Sequence, residues 1–452
     1  MSELPSNWAW STIGAVTDYI QRGKSPKYAD HSSLPVINQK CIRWNELQLQ
    51  HLKYVHPDQI DAWDELRHIR PGDILWNSTG TGTVGRAYLV KDADCRPTKV
   101  VDSHVTIVRT ATALNPRYLF NWIKSPAVQS KIEEMCDGTT NQIELSRSAI
   151  AATAIPVAPE GEQTRIADQL DKLLTRIQSC NDRLDAIPAL LKRFRQAVLT
   201  AAIKGELIEG VALSDWRQCT VGDVLEGKPR NGYSPKAVDF ETPVRSLTLS
   251  ATTSGRFLAQ HSKFIDEQIP DSSYLWLEPG DILIQRANTL EYVGVSAIFD
   301  GPSKQFIYPD LMKKCRPNQL ILRKFLFYTL SSEQTRQYFR DQATGTAGNM
   351  PKINQHTVMS APVFLPSLEE QERIVLKVDA LFQLADRIEA RYTAARAQAQ
   401  RLSPLLLAKA FRGELVSQKP DDEPASALLE RVNKPGATVT GSKVRLSRNL
   451  NR

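Results

Sequence analysis

The sequence predicts two α/β (α+β) domains in tandem repeat, separated by a long antiparallel two-helix coiled coil. Three observations carry that expectation. The chain repeats itself at a constant offset, each half mixes short strand-like and helix-like runs, and each half ends in a long heptad stripe. Pro71-Gly72-Asp73-Ile74-Leu75 returns as Pro279-Gly280-Asp281-Ile282-Leu283, and 279 minus 71 is 208. Asn7-Trp8 answers to Asp215-Trp216, Glu162-Gln163 to Glu370-Gln371, and Gly205-Glu206-Leu207 to Gly413-Glu414-Leu415, all at that offset. A period this long is two whole domains rather than a solenoid.

Residues 1–157 and 208–365 make the two globular parts. Val105–Val108 and Val293–Phe299 have strand character, and Tyr118–Ile123 and Phe325–Leu330 have that of short helices. Each part closes on a proline-bracketed apolar run, Ile155-Pro156-Val157-Ala158-Pro159 and Ala361-Pro362-Val363-Phe364-Leu365-Pro366.

Helical regions 158–207 and 366–416 follow. In the first, Ile166, Leu170, Leu173, Ile177, Cys180, Leu184, Ile187, Leu191, Phe194 and Val198 alternate steps of four and three, a heptad seam. The second repeats the register with Ile374, Val378, Leu381, Ala385, Ile388, Tyr392, Ala395, Ala399, Leu402 and Leu406. Ser367 and Glu370 form a capping box, and Gly205 and Gly413 suit a left-handed stop. Some 40 residues in a helix span roughly 60 Å. Pro188 and Pro404 predict kinks. Because the repeats run head to tail, seams that bury each other are antiparallel, with one domain at each end. Packing of each helix on its own domain, or on another subunit, is the alternative. Residues 417–452 read as a flexible tail with an acidic cluster at Asp421-Asp422-Glu423, a short helix around Ala425–Arg431 and a basic end, Lys443 to Arg452.

The 452 residues carry 41% hydrophobic and 24% charged side chains, an ordinary globular balance, and a net charge of +7 that leans toward an anionic partner. Cys41, Cys95, Cys136, Cys180, Cys219 and Cys315 are scattered without a CxxC pair, which predicts a reduced, cytoplasmic protein. No apolar run reaches the roughly 18 residues of a membrane span, and MSELPSNWAW is no signal peptide. Arg22-Gly23-Lys24-Ser25 lacks the upstream glycine of a phosphate loop, since Asp18 stands there. Asn115-Pro116-Arg117-Tyr118 departs from the Asn-Pro-Pro-aromatic motif of amino-methyltransferases at Arg117, and no glycine-rich cofactor loop precedes it. Pro309-Asp310 has no acidic-x-Lys element after it, and the seven histidines form neither HExxH nor a Cys/His cluster. No catalytic residue and no metal site is expected: the chain reads as a recognition protein without a reaction of its own.

Three recurring patches are candidates for DNA contact. The first follows each Pro-Gly-Asp-Ile-Leu strand and offers Asn77, Thr79, Thr81 and Arg86 in one half, and Arg286, Asn288, Thr289 and Tyr292 in the other. Arginine matches guanine O6/N7, and asparagine or glutamine matches adenine N6/N7. The second precedes each closing run, with Thr140, Asn141 and Gln142, then Thr346, Asn349 and Lys352. The third lies near each domain start, with Arg22, Lys24, Lys27 and Tyr28, then Arg230, Asn231, Tyr233 and Lys236, suited to backbone phosphates. Solvated turns are the alternative for each. The frame repeats while the loop contents differ, as two readers of two different short sequences require.

With these motifs in order and duplicated, residues 4–415 resemble the specificity subunits of type I restriction-modification systems, and Leu191-Lys192-Arg193-Phe194-Arg195-Gln196-Ala197-Val198-Leu199 is similar to the enterobacterial type IA group. The resemblance implies two target-recognition domains, each reading one half of a bipartite, asymmetric site in double-stranded DNA. It implies helices that set the spacer and dock two modification (methyltransferase) subunits, which restriction (ATPase and nuclease) subunits join. AdoMet, ATP and Mg2+ would belong to those partners, and this chain would be non-catalytic. A recognition subunit of a combined restriction-methylation enzyme, and a coiled-coil scaffold unrelated to DNA, are the other readings.

Overall fold

The computed structural model describes residues 4–137, 143–345 and 350–433. The chain divides into two compact units, Met1–Arg183 with Ala395–Arg452, and Leu184–Ala394. The unit boundaries do not follow the ends of the helices, because each unit takes part of both.

In the first unit the strands Thr17–Arg22, Val105–Thr110, Ile74–Asn77 and Ala87–Leu89 lie in that order in an antiparallel sheet. Tyr28–Ala29, Lys53–Val55, Pro35–Ile37 and Val100–Val101 form a second sheet whose last pair is parallel. Ile74, Leu75 and Trp76 are apolar on both faces of the strand because both faces are covered. Ile74 and Trp76 enter the main core, while Leu75 joins Ile37, Val101 and Ile107 on the other side. The proline-bracketed run pairs with the start of the domain, Ala9 opposite Val157.

The second unit repeats this plan. Arg230–Asn231, Met312–Cys315, Ile282–Gln285 and Ser296–Ile298 form the antiparallel sheet, and Ala237–Val238, Ser262–Ile265, Arg245–Leu247 and Phe306–Ile307 the mixed one. Arg217 lies opposite Leu365, each 208 after the pair in the first unit. The strand expected over Val293–Phe299 is shorter, Ser296–Ile298, because Gly294 at φ +78° belongs to the preceding turn. The short helices are Pro116–Lys124, capped by the Asn115 side chain, and Arg323–Ser331.

The long helices run Glu160–Ile203 and Leu368–Ala410, with Pro188 and Pro404 inside them. Ser367 N donates to Glu370 Oε2 at 2.8 Å and Ser367 Oγ accepts from Glu370 N at 3.3 Å, a complete capping box. Gly205 and Gly413 close the helices at φ +76° and +74°, with Glu206 N bonded to Ala201 O and Glu414 N to Lys409 O.

Within each unit the two helices pack antiparallel. In the first, Arg396 Nη1 donates to Asn181 Oδ1 at 2.7 Å, and Leu407 and Ala410 meet Ile166 and Leu170. In the second, Arg195 Nη2 pairs with Asp386 and Glu389 at 2.8 and 2.7 Å, while Val198 and Ala202 meet Ile374 and Val378.

The seam needs correcting in three places. Cys180 is exposed, Ile388 is 40% exposed and Leu402 is 48% exposed, whereas Leu407 is 2% exposed. A straight helix drifts about 20° per heptad from a 3.5-residue repeat, so the buried line crosses from the expected positions to their neighbours. Leu173, Ile177, Leu184, Phe194, Leu381, Tyr392 and Leu406 are partly buried, and Leu191 is buried.

The tail is also more ordered than its composition suggests as far as residue 433. Phe411 stacks edge-on against Tyr118 and Trp122, Arg165 Nη2 pairs with Asp422 Oδ2 at 2.6 Å, and Gln418 donates to Glu162. Ala425 N bonds to Asn7 O at 2.9 Å, at the start of the helix Ala425–Asn433. The expected basic run, Lys443 to Arg452, lies outside the described residues.

Candidate nucleic-acid interface

The repeated Pro-Gly-Asp-Ile-Leu motif is a structural clamp. Gly72 and Gly280 adopt φ of +85° and +100°, which glycine alone takes at little cost. The aspartates that follow are each 1% exposed. Asp73 accepts from Arg109 Nε at 2.7 Å, Arg109 Nη2 at 2.8 Å and Arg70 N at 2.8 Å. Asp281 accepts from Arg316 and from Glu278 N. Each strand then ends on a buried amide. Asn77 Nδ2 donates to the carbonyls of Gln39 and Thr83, and Gln285 Nε2 to Leu249 O, Thr252 and Thr253. Asn288 in turn donates to Gln285 Oε1 at 2.7 Å and accepts from Thr289 N. Asn77, expected to touch DNA, is therefore buried loop framework, and Asn288, half-buried, spends one amide hydrogen on Gln285 and its oxygen on the next main-chain N–H.

Beyond these amides, backbone bonds draw the three sequence patches together. Leu145 N donates to Ser78 O at 2.8 Å, and Ile353 N to Arg286 O at 2.8 Å. Thr79 bridges Glu144 as Ala287 bridges Lys352. Arg22 faces Thr106 across its strand pair, as Asn231 faces Lys313. One frame thus gathers Arg22, Ser78, Thr106 and Glu144 in the first unit, and Asn231, Arg286, Lys313 and Lys352 in the second. The contents differ sharply. In the first unit Arg22 is tied to Glu144, and Ser78 Oγ meets Thr106 Oγ1 at 2.6 Å, so the set is neutral. In the second, three cations share the set without an acid among the four, and Arg286 Nη1 donates to Asp310 O at 3.1 Å.

The third patch is a close-packed loop against this cluster. Gly23-Lys24-Ser25-Pro26-Lys27 corresponds to Gly232-Tyr233-Ser234-Pro235-Lys236. A Cβ on Gly23 would collide with the Val101 and Asp102 carbonyl oxygens, and one on Gly232 with those of Tyr308 and Pro309. Ser25 Oγ meets Ser103 Oγ at 2.6 Å, and Ser234 Oγ donates to Asp310. Lys24 Nζ donates to Ala62 O at 3.0 Å. Tyr28 lies under Lys53 with its hydroxyl 3.5 Å from Asp102 Oδ2, and burial, then Asp102, push that hydroxyl up to about 12. Arg230 stacks on Tyr274, and Tyr233 OH donates to Glu267.

Lys27, Thr81, Lys236, Thr289 and Lys352 are exposed, and Thr79, Arg86 and Tyr292 are half-buried. Thr140, Asn141, Gln142, Thr346 and Asn349 lie outside the described residues. Sequence reasoning missed Ser78, Thr106, Glu144 and Lys313. The signal for two of them was present: Ser78 plus 208 is Arg286, and Glu144 plus 208 is Lys352. Among the described residues, no group of three or more His, Cys, Asp or Glu is placed to hold a metal, and no helix is long and apolar enough to cross a membrane.

Two copies of one frame with unlike polar contents, carried on long paired helices, define a tandem recognition protein. Residues 5–189 and 214–395 match the type I restriction modification DNA specificity domain, and the chain belongs to that family. It is 28% identical over 468 residues to the type I restriction enzyme EcoKI specificity subunit of Escherichia coli (strain K12), covering 98% of each chain. It is 27% identical over 464 residues to the StySPI specificity subunit of Salmonella potsdam, again over 98% of each. Its fold resembles that of the HsdS subunit from Thermoanaerobacter tengcongensis, with TM-score 0.58 and 20% identity over 92% of this chain and 99% of that one. A chain from a structural study of type I R-M assembly and conformational transition gives TM-score 0.69 at 19% identity, over 92% and 100%.

Proposed function

We propose that the chain is the non-catalytic specificity subunit of a type I restriction-modification complex, and that each unit reads one half of a bipartite, asymmetric DNA site. The observation that carries this is the shared frame with unlike contents: a neutral donor-acceptor set at Arg22, Ser78, Thr106 and Glu144 against a tricationic set at Asn231, Arg286, Lys313 and Lys352. Base edges in the major groove are told apart by their donor-acceptor pattern, so two such sets read different sequences. The exposed basic loops at Lys27 and Lys236 supply phosphate contacts that position without specifying.

The long helices dock the modification subunits and fix the unread spacer. Leu190, Leu376, Leu384 and Ile388 on the second unit's helix segments, and Leu402 and Leu405 on the first's, are large apolar side chains left exposed, which suits a partner surface. AdoMet chemistry belongs to those partners, and ATP and Mg2+ to the restriction subunits that join them. The test is the methylated-adenine motif in DNA from cells expressing this chain with its modification partner. A split, asymmetric motif is expected. Methylation without a defined motif, or no sequence-selective retardation of duplex DNA by the assembled complex, would sink the proposal.

A further inference from the structure

Asn231 and Lys313 face each other across the outer strand pair of the second unit. Lys313 is only 3% exposed, and its Nζ lies 2.7 Å from Asn231 Oδ1. An ammonium group has three donors and no acceptor, so this contact admits one orientation of the amide. Oδ1 turns inward to Lys313 and Nδ2 turns away. Because Asn231 is exposed, the face it offers outward is its NH2 group. Burial, and then the neighbouring Arg286, push the Lys313 ammonium down to about 8, so it remains largely protonated near neutral pH. Arg286, half-buried and anchored on Asp310 O, adds a guanidinium that carries donors only.

The orientation decides what can be read. An asparagine that presents both oxygen and NH2 pairs with adenine, whose major-groove edge offers the N6 donor and the N7 acceptor. One that presents NH2 alone leaves the N6 amino group unmet, while guanine offers two acceptors, O6 and N7. We propose that Lys313 is a positioning residue that locks Asn231 donor-outward, so that the second unit reads guanine through Asn231 and Arg286 and rejects adenine at that base pair. The assignment rests on the DNA-reading function proposed above. Among the described residues the first unit has no such lock: Thr106 stands where Lys313 does, and Arg22 shares its place with the exposed Glu144 carboxylate, an acceptor.

The same donors suit a backbone phosphate, so the experiment must separate base from phosphate. Duplexes carrying the methylation-defined motif are bound by the full chain assembled with its modification partner. Lys313→Met, similar in length and uncharged, is expected to lower the guanine-over-adenine preference at one base pair at least tenfold. The adenine duplex should gain affinity, and the other half-site should keep its preferences. A merely damaged domain does not gain affinity for a new base. Lys313→Arg, which keeps a donor, should restore the guanine preference. In the wild type, 7-deazaguanine at that pair, which lacks the N7 acceptor, should weaken binding at least fivefold. Uniform weakening on both duplexes would assign the cluster to phosphate and overturn the proposal, as would indifference to 7-deazaguanine throughout that half-site. If the wild-type complex shows no sequence selectivity at all, the broader function fails and takes this assignment with it.

Discussion

Asp73→Ala is the sharpest test of the clamp beneath the first unit's reading surface. The carboxylate is almost wholly enclosed, and it accepts two bonds from Arg109 and one from Arg70 N. Removing it leaves the Arg109 guanidinium, itself largely covered beneath Tyr19, with the His68 carbonyl but without its countercharge, and leaves the Arg70 main-chain donor unpaired. Breaking a buried pair by deleting one partner costs about 3–5 kcal/mol. Asp73→Asn keeps the shape and one acceptor oxygen but loses the charge, so its cost should be nearer 1.5–3 kcal/mol, that of a charged hydrogen bond. Hydrogen exchange reads these values locally. In Asp73→Ala the amides of Ile74–Asn77 and Ala87–Leu89 should lose roughly two to three and a half orders of magnitude of protection. Those of Ile282–Gln285, clamped by Asp281, should be unchanged. Loss below tenfold, or equal loss in both strands, would refute the clamp.

Other consequences are equally direct. Leu407→Ala should destabilise the first unit by about 2–5 kcal/mol while Leu402→Ala stays within about 0.5 kcal/mol, measured by urea unfolding, because only Leu407 is enclosed. Gly232→Ala should cost more than about 2 kcal/mol and abolish recognition of one half-site only, since its Cβ meets main-chain oxygens that cannot step aside. Glu144→Gln should relax one base pair of the other half-site by about 1–3 kcal/mol, visible in the methylated motif, with the Asn231 half unaffected. Lys313 titrates near 8 in the folded chain because burial penalises its charge, below the ~10.4 of an unperturbed lysine. The folded state therefore binds fewer protons between those values, and the wild type gains stability as pH rises through that window. The stability of Lys313→Met relative to wild type should fall from pH 7 to pH 10, and a difference that holds constant would contradict the burial.

The repeat made the framework legible. Strand-opening aspartates, helix caps and stop glycines recur because backbone geometry demands them, and they sit at one offset. The paired α/β halves and the two long helices could therefore be read in advance. The reading surface was less legible, for physical reasons. Polarity marks Asn77 and Asn288 as candidates, but a turn needs buried amides as much as a base does, and only the partners of Asn77 Nδ2 and Asn288 Nδ2 decide which. Lys313 escapes a reading of the sequence because it lies in a short strand, Met312–Cys315, bracketed by two core residues, and its contact with Asn231 is made 82 residues away along the chain. Ile388 and Leu402 satisfied the heptad pattern but not the true helical period, so a pattern that located both helices misassigned their buried edge.

The anchoring of the C-terminal segment bears on how the chain is made. The second unit is one unbroken stretch, Leu184–Ala394, whereas the first needs Ala395 onward to complete it. Tyr118 and Trp122 wait for Phe411, Arg165 for Asp422, and Asn7 for Ala425. Domains emerging from the ribosome generally fold in the order of synthesis. Here completion of the half translated first waits on residues translated after the second unit: until Phe411, just past the end of the second long helix, is in place, Tyr118 and Trp122 lack their edge-on partner.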